Sequence, residues 1–247
     1  QSKTVKSRIT EEQAARLSDA GLNARIEAIQ DKKEKTEEDQ ATFAVLDAEM
    51  SKRENAAAAA SQEAEEQAEA PASHTPTFDK LPAKDPETRT LTYAGIGSRK
   101  TPQAVLEQMT AFAKRLEGLG YTLRSGGAKG ADSAFESGTQ TKEIFYASDA
   151  TDQTRQIAKE IHPRPDALGG IALNLMARNT NQLFGKNLDT PVDFVLAWTP
   201  DGAETSAERT IKTGGTGQAI DMASRKGIPV FNLATADGQS RFEKFLN

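Results

Sequence analysis

Three glycine-rich segments hold the residues of this chain whose types and spacing could do chemistry. Gly126-Gly127-Ala128-Lys129-Gly130-Ala131-Asp132 and Thr213-Gly214-Gly215-Thr216-Gly217 each fall where a strand is expected to hand over to a helix. Gly95-Ile96-Gly97-Ser98-Arg99-Lys100 ends an earlier strand. Glycine lets the backbone approach a ligand at such turns, and the helix that follows offers N–H groups to an anion. The chemistry suited is the cradling of a phosphate or nucleotide at the carboxyl ends of parallel strands. Residues 126–132 are not a Walker A loop, because Lys129 precedes Gly130 and no Gly-Lys-Ser/Thr ending follows. Residues 95–100 begin like a dinucleotide fingerprint but lack its third glycine, which disfavours a dehydrogenase.

Composition narrows the choice further. The 247 residues carry a net charge of −5, which argues against the broad electropositive surface of a non-specific nucleic-acid binder. Aromatic residues are 6% of the chain, too few for an extended base-stacking platform. The absence of cysteine excludes disulfides, thiolate zinc sites and cysteine nucleophiles. Two histidines, His74 and His162, are too few for a histidine metal centre; His74 reads as a solvated loop residue and His162 as a helix cap. No cofactor is required, and although magnesium could assist phosphate binding, no carboxylate cluster demands it. No apolar run approaches the roughly 20 residues of a membrane helix, and no signal-peptide pattern opens the chain, so a cytoplasmic protein without a membrane partner is expected. Beginning at Gln1, the chain is expected to be a processed product or an excised fragment.

The turns need a scaffold, and the rhythm after Arg89 supplies one. Strands are expected over 91–96, 121–124, 143–147, 193–198 and 228–233, and helices over 105–119, 131–137, 151–161, 170–184 and 217–226, with a short terminal helix. Repeated βα units predict an α/β, Rossmann-like domain over 89–247, its largely parallel sheet covered by helices on both faces. Residues 1–55 predict a helical arm, with Thr10-Glu11-Glu12-Gln13 as a capping box and a break near Gly21 or in the 31–40 charge run. Its apolar stripe of Ile9, Leu17, Ile26, Ile29, Phe43, Leu46 and Met50 is too thin to form a core. The arm should therefore pack on a partner helix, on the second domain or on a symmetry mate, the last giving a homo-oligomer. Residues 56–88, with Ala56 to Ala60 followed by Pro71, Pro76, Pro82 and Pro86, read as a linker.

Taken in order, Gly95-Ile96-Gly97-Ser98-Arg99, Ser125-Gly126-Gly127-Ala128-Lys129-Gly130-Ala131-Asp132 and Thr213-Gly214-Gly215-Thr216-Gly217-Gln218-Ala219-Ile220-Asp221 resemble the SLOG superfamily. That superfamily includes the Lonely Guy (LOG) phosphoribohydrolases, the DprA/Smf DNA-processing proteins, and phage and defence-associated members. The resemblance covers residues 90–233 and leaves the arm outside. It implies a small nucleotide-type ligand, approached by Gly97 and Ser98 and forked by Arg99. Ser125, Gly126 and Gly127 would line the floor, with Lys129 among the phosphate ligands and Asp132 tying down the turn or holding a ribose hydroxyl. Thr213, Gly214, Gly215, Thr216 and Gly217 would cradle the phosphate.

LOG-type members also use an arginine before the last motif and a glutamate on the helix it opens to cleave the base–ribose bond. Arg178 and Asp221 match those places as a candidate catalytic pair. Three departures weaken the match: Asp221 is one methylene short, Gln218 replaces the usual threonine, and Asn179 replaces the lysine after the arginine. Such changes could abolish turnover and leave binding intact. Two other readings stay open. One is a DprA-like mediator binding single-stranded DNA through a groove of Arg99, Lys100, Arg124 and Lys129. The other is a scaffold that assembles through its arm and carries a degenerate nucleotide domain. Trp198 is expected to stack on a base or to pack at the rim, and the loop holding Asp201 and residues 204–208 to be a lid or simply solvated.

Overall fold

Five short strands, β1 (Thr92–Gly97), β2 (Thr122–Ser125), β3 (Lys142–Ile144), β4 (Phe194–Trp198) and β5 (Val230–Asn232), form one sheet. Its order is β3-β2-β1-β4-β5, and every pairing is parallel, as the repeated βα rhythm predicts. A computed structural model describes residues 6–30, 32, 34, 36–65, 77–162 and 165–246. The crossovers are α4 (Gln103–Gly118), α5 (Ala131–Ser137), the pair α6 (Asp152–Ile161) and α7 (Gly170–Phe184), and α8 (Thr216–Arg225); α9 (Ala236–Leu246) follows β5.

Alternation along each strand sends side chains to two separate cores. Tyr93, Leu123, Phe194, Leu196 and Phe231 pack with Met109, Leu116, Phe135 and Phe242, residues of α4, α5 and α9. Ala94, Ile96, Val195 and Ala197 face Ile157, Leu183, Phe184 and Ile220, residues of α6, α7 and α8. Each fully buried large side chain contributes about 1.5–3 kcal/mol, so both faces are needed to order a sheet of such short strands. Gly95 is glycine because of this packing: a Cβ there would stand 2.7 Å from the Phe135 ring.

The amino-terminal region folds as α1 (Glu11–Ala15), α2 (Asp19–Gln30) and α3 (Glu37–Glu65). Thr10 and Gln13 form the expected capping box. The breaks fall at residues 16–18 and within the charge run, while Gly21 lies inside α2. Leu22, Ile26, Ile29, Leu46 and Met50 close over one another and over Ile171 of α7, with Leu175 beside them. The thin stripe is therefore covered by the arm's own helices and by one helix of the α/β unit.

Residues 66–76, which include His74, lie outside the described residues. Residues 77–84, inside the stretch read as linker, pack on the α/β unit. Phe78 and Leu81 enter the core beside α6 and α8. Lys226 donates to the carbonyls of Asp79 and Leu81 at 3.1 and 2.6 Å, and Lys84 pairs with Asp193 at 2.6 Å.

Candidate ligand-binding crevice

The chain leaves β1 toward β2 on one side and leaves β4 toward β5 on the other, so a crevice opens above the carboxyl ends of these two central strands. Gly97 lies opposite Trp198 in the ladder, and the Ser98 amide donates to the Trp198 carbonyl at 3.1 Å. Beyond it the first loop is a tight turn: the Ser98 hydroxyl accepts the Lys100 amide at 3.0 Å, and the Thr101 hydroxyl donates to the Ser98 carbonyl at 2.6 Å. A Cβ on Gly97 would stand 2.7 Å from that of Ala131, so this glycine is required by the packing of α5 on β1. Gly130, at φ +87°, lies against the backbone of Ser98 and Arg99, which joins the first and second turns edge to edge.

The second turn is wound around two carboxylates. Asp132 Oδ2 accepts the amides of Gly126 and Ala128 at 3.2 and 3.3 Å. Glu136, one helical turn further along α5, accepts the Gly127 amide at 3.1 Å and the Ser125 hydroxyl at 2.6 Å. Three successive amides, the groups that would receive an anion at such a turn, are thus spent on acids of the same chain. Asp132 ties down its turn. Burial pushes its carboxyl up, to about 6; Arg178 and the two amides pull down and Glu136 pushes up, and burial wins. Glu136 was not singled out from sequence, although its i+4 spacing from Asp132 on a helix is the signal that would have found it.

α7 connects the second turn to the third. Arg178 donates Nη1–H to the Gly126 carbonyl, and its Nε is buried with no hydrogen-bond partner among the described residues. The neighbouring Asn179 donates to the Gly215 carbonyl at 3.4 Å. At the third turn the Thr213 hydroxyl donates to Asp201, which also accepts the Thr210 hydroxyl at 2.7 Å. Burial pushes the Asp201 carboxyl up, but the hydroxyls of Thr213, Thr210 and Thr199 and the Ala203 amide together hold it below its ordinary value. The loop after β4 is therefore latched onto the third turn by an aspartate. α8 then starts on Gly215 in helical conformation with no side-chain cap, and the Gly217 amide bonds back to the Gly214 carbonyl at 2.9 Å.

Arg178 and Asp221 engage different partners. Asp221 is 1% exposed and accepts Arg225 Nε at 3.1 Å on Oδ1; its Oδ2 lies 2.9 Å from Arg225 Nη2 and 3.6 Å from Arg209 Nη1. Arg209 covers Gly217, where a Cβ would meet its Nε at 3.0 Å. Sequence reasoning missed this arginine.

The basic residues are dispersed. Arg124 is 5% exposed and donates to Glu143 at 2.8 Å and to the Thr190 carbonyl at 2.6 Å, so it braces β2 against its neighbours and lines no groove. Lys100 and Lys129 are exposed at the rim. Trp198 packs against the core beneath α4 and α5, and His162 takes the C-cap of α6 through its amide. A surface depression of about 330 Å3 on the arm is lined by Arg8, Arg16 and Arg25, but Glu38 and Glu12 pair with the first two. Among the described residues no metal-binding cluster of His, Cys, Asp and Glu occurs, and no helix is long and apolar enough to cross a membrane.

No protein-family model and no curated protein matches the chain. Among solved structures, one of DNA processing protein A from Helicobacter pylori, described for its mode of binding single-stranded DNA, aligns over 71% of this chain and 87% of its own. The two are 19% identical with a TM-score of 0.41, a distant resemblance.

Proposed function

We propose that the chain binds a nucleotide or nucleotide-derived ligand in the crevice above β1 and β4, with a phosphate on the third turn, Thr213 to Gly217. The contrast between the two later turns carries this reading. The second is already filled by Asp132 and Glu136, whose charges repel an anion. The third also has an acid, Asp201, but its carboxylate binds the Thr213 and Thr210 hydroxyls and none of the turn's amides. This turn opens a helix of 10 residues on a glycine with no side-chain cap, where the helix dipole and the first-turn amides other than that of Gly217 favour an anion. Arg178 and Asn179 reach the same crevice from α7, and Ser98 bounds it from the β1 side. The engagement of Asp221 by Arg225 and Arg209 favours binding, as a sensor or a sequestering protein, over N-glycosidic hydrolysis.

A single-stranded DNA ligand is the second reading. The contact of Gly130 with the Ser98–Arg99 backbone supports it, because it brings Lys100 and Lys129 to one rim.

Titration calorimetry with AMP, ATP, ADP-ribose and a short oligodeoxythymidine tests both, on the native chain and on Gly215→Asp. Gly215 is not strained for an L residue, and the atom nearest an added Cβ is the flexible Met176 methyl at 3.2 Å. At helical φ/ψ an aspartate is unstrained, narrows the unfolded ensemble relative to glycine and is favoured by the dipole at the helix start, so the variant should match the native fold or gain a few tenths of a kcal/mol. Its carboxylate would fill the anion position. The expected result is nucleotide binding lost in a variant that melts no lower than the native chain. Equal nucleotide binding by both would refute the placement, and binding of the oligonucleotide alone would select the second reading.

A further inference from the structure

We infer that Lys129 is a gated phosphate ligand, held off the crevice by Asp47 and Phe43 of the arm and released to an arriving phosphate. The inference rests on the ligand reading above. Lys129 Nζ stands 2.9 Å from Asp47 Oδ2 and 5.4 Å from the centroid of the Phe43 ring. Phe43 and Asp47 are one helical turn apart on α3, so a carboxylate and a ring face form a single receptor for an ammonium group.

The receptor is held in place by contacts that do not involve Lys129. Leu46 and Met50, on the same helix, are buried against the rest of the arm and against Ile171 of α7. α7 also carries Arg178 and Asn179, so one helix seats the arm and faces the crevice. The lysine's backbone is fixed too, since Gly130, its neighbour, is packed on Ser98 and Arg99. What stays free to choose is the lysine side chain, which is 51% exposed and has rotatable bonds to spare.

Its choice lies between the Asp47 carboxylate and a further phosphate of a ligand anchored on the third turn, reaching the rim where Gly130 meets the Ser98–Arg99 backbone. An ion pair whose cation is half exposed is individually weak, and exchanging one partner for another leaves the ammonium paired throughout. The gate is therefore a side-chain exchange, with the apolar seam of the arm left in place. Its effect is modest and falls with ionic strength, as the Asp47 pair is screened.

A double-mutant cycle on the full chain tests this, using ATP, which carries more than one phosphate, as the probe and affinity as the readout. Asp47→Asn should bind roughly two- to fivefold tighter than the native chain, the range set by the ion pair alone, since the Phe43 contact remains. Lys129→Ala should bind more weakly, and adding Asp47→Asn to Lys129→Ala should change nothing further. No gain in Asp47→Asn, or the same gain with Lys129 already removed, would overturn the gate and leave the ligand reading standing. Absence of binding in all four proteins would overturn both.

Discussion

Asp132 accepts the Gly126 amide at 3.2 Å through the same oxygen that accepts the Ala128 amide, so the second glycine turn is built around a buried acid. Arg178 approaches Gly126 on the same side as the acid: a Cβ there would stand 2.6 Å from the guanidinium carbon and 2.9 Å from Asp132 Oδ2. The missing side chain leaves the space in which the arginine and the carboxylate come together over one α-carbon.

The pKa of Asp132 predicts a specific pH dependence. Its folded value of about 6 lies above the roughly 3.9 of an unfolded aspartate, so the folded state takes up the proton more readily. The contribution is fully present below about pH 4 and is lost as pH rises through about 6, on the order of 3 kcal/mol at about 1.36 kcal/mol per unit. Asp132→Asn removes the titration and can still accept both amides. Urea unfolding near pH 4 and near pH 7 should therefore show the variant gaining on the native chain by up to that amount. A difference that is constant with pH would refute the assignment.

Two ion pairs predict opposite sensitivities. Lys84 and Asp193 meet at 2.6 Å with side chains 9% and 4% exposed, and Asp193 also accepts the Thr90 amide at 3.1 Å. Asp193→Ala would leave a buried ammonium without its counter-charge, at a cost of about 3 kcal/mol or more. Arg115 and Glu243 meet at a similar 2.7 Å but are nearly half exposed, so Glu243→Ala should cost at most about 1 kcal/mol. Unfolding free energies measured side by side decide the matter; similar losses would show that distance and not burial sets the worth of these pairs.

The strands and turns of the α/β unit were legible because they are local. Glycine at a strand end, an apolar run of four to six residues and a helix cap each act within a few positions. The role of Arg124 was not legible. It read as part of a basic groove, yet parallel pairing sets it beside Glu143, 19 residues on, and the loop before β4 brings the Thr190 carbonyl to it. Phe78 and Leu81 were hidden for a related reason: proline-rich surroundings look like linker, and only the tertiary fold offers them α6 and α8. The arm's destination was likewise open, since Ile171 and Leu175 carry no mark distinguishing a helix face turned to an arm from one turned to a sheet. In the candidate site the glycines were legible and the partners of their amides were not.

The arm's seat predicts that its stability is separable from that of the sheet. Leu46 is fully buried among Leu22, Ile26, Met50 and Ile171, so Leu46→Ala should cost about 2–5 kcal/mol at that place. Ile171 is the one fully buried residue of α7 in this cluster, whereas the sheet's two cores lie on its own faces and share no residue with it. Ile171, Leu175 and the Lys129 contacts with Asp47 and Phe43 make a small seam, so the loss should fall chiefly on the arm. Amide hydrogen exchange in α1–α3 should then accelerate by roughly 30-fold or more in the variant, with β1 and β4 unchanged. Acceleration in those strands to the same degree would show instead that arm and sheet open as one unit, and that Ile171 couples them more strongly than its small share of the contact suggests.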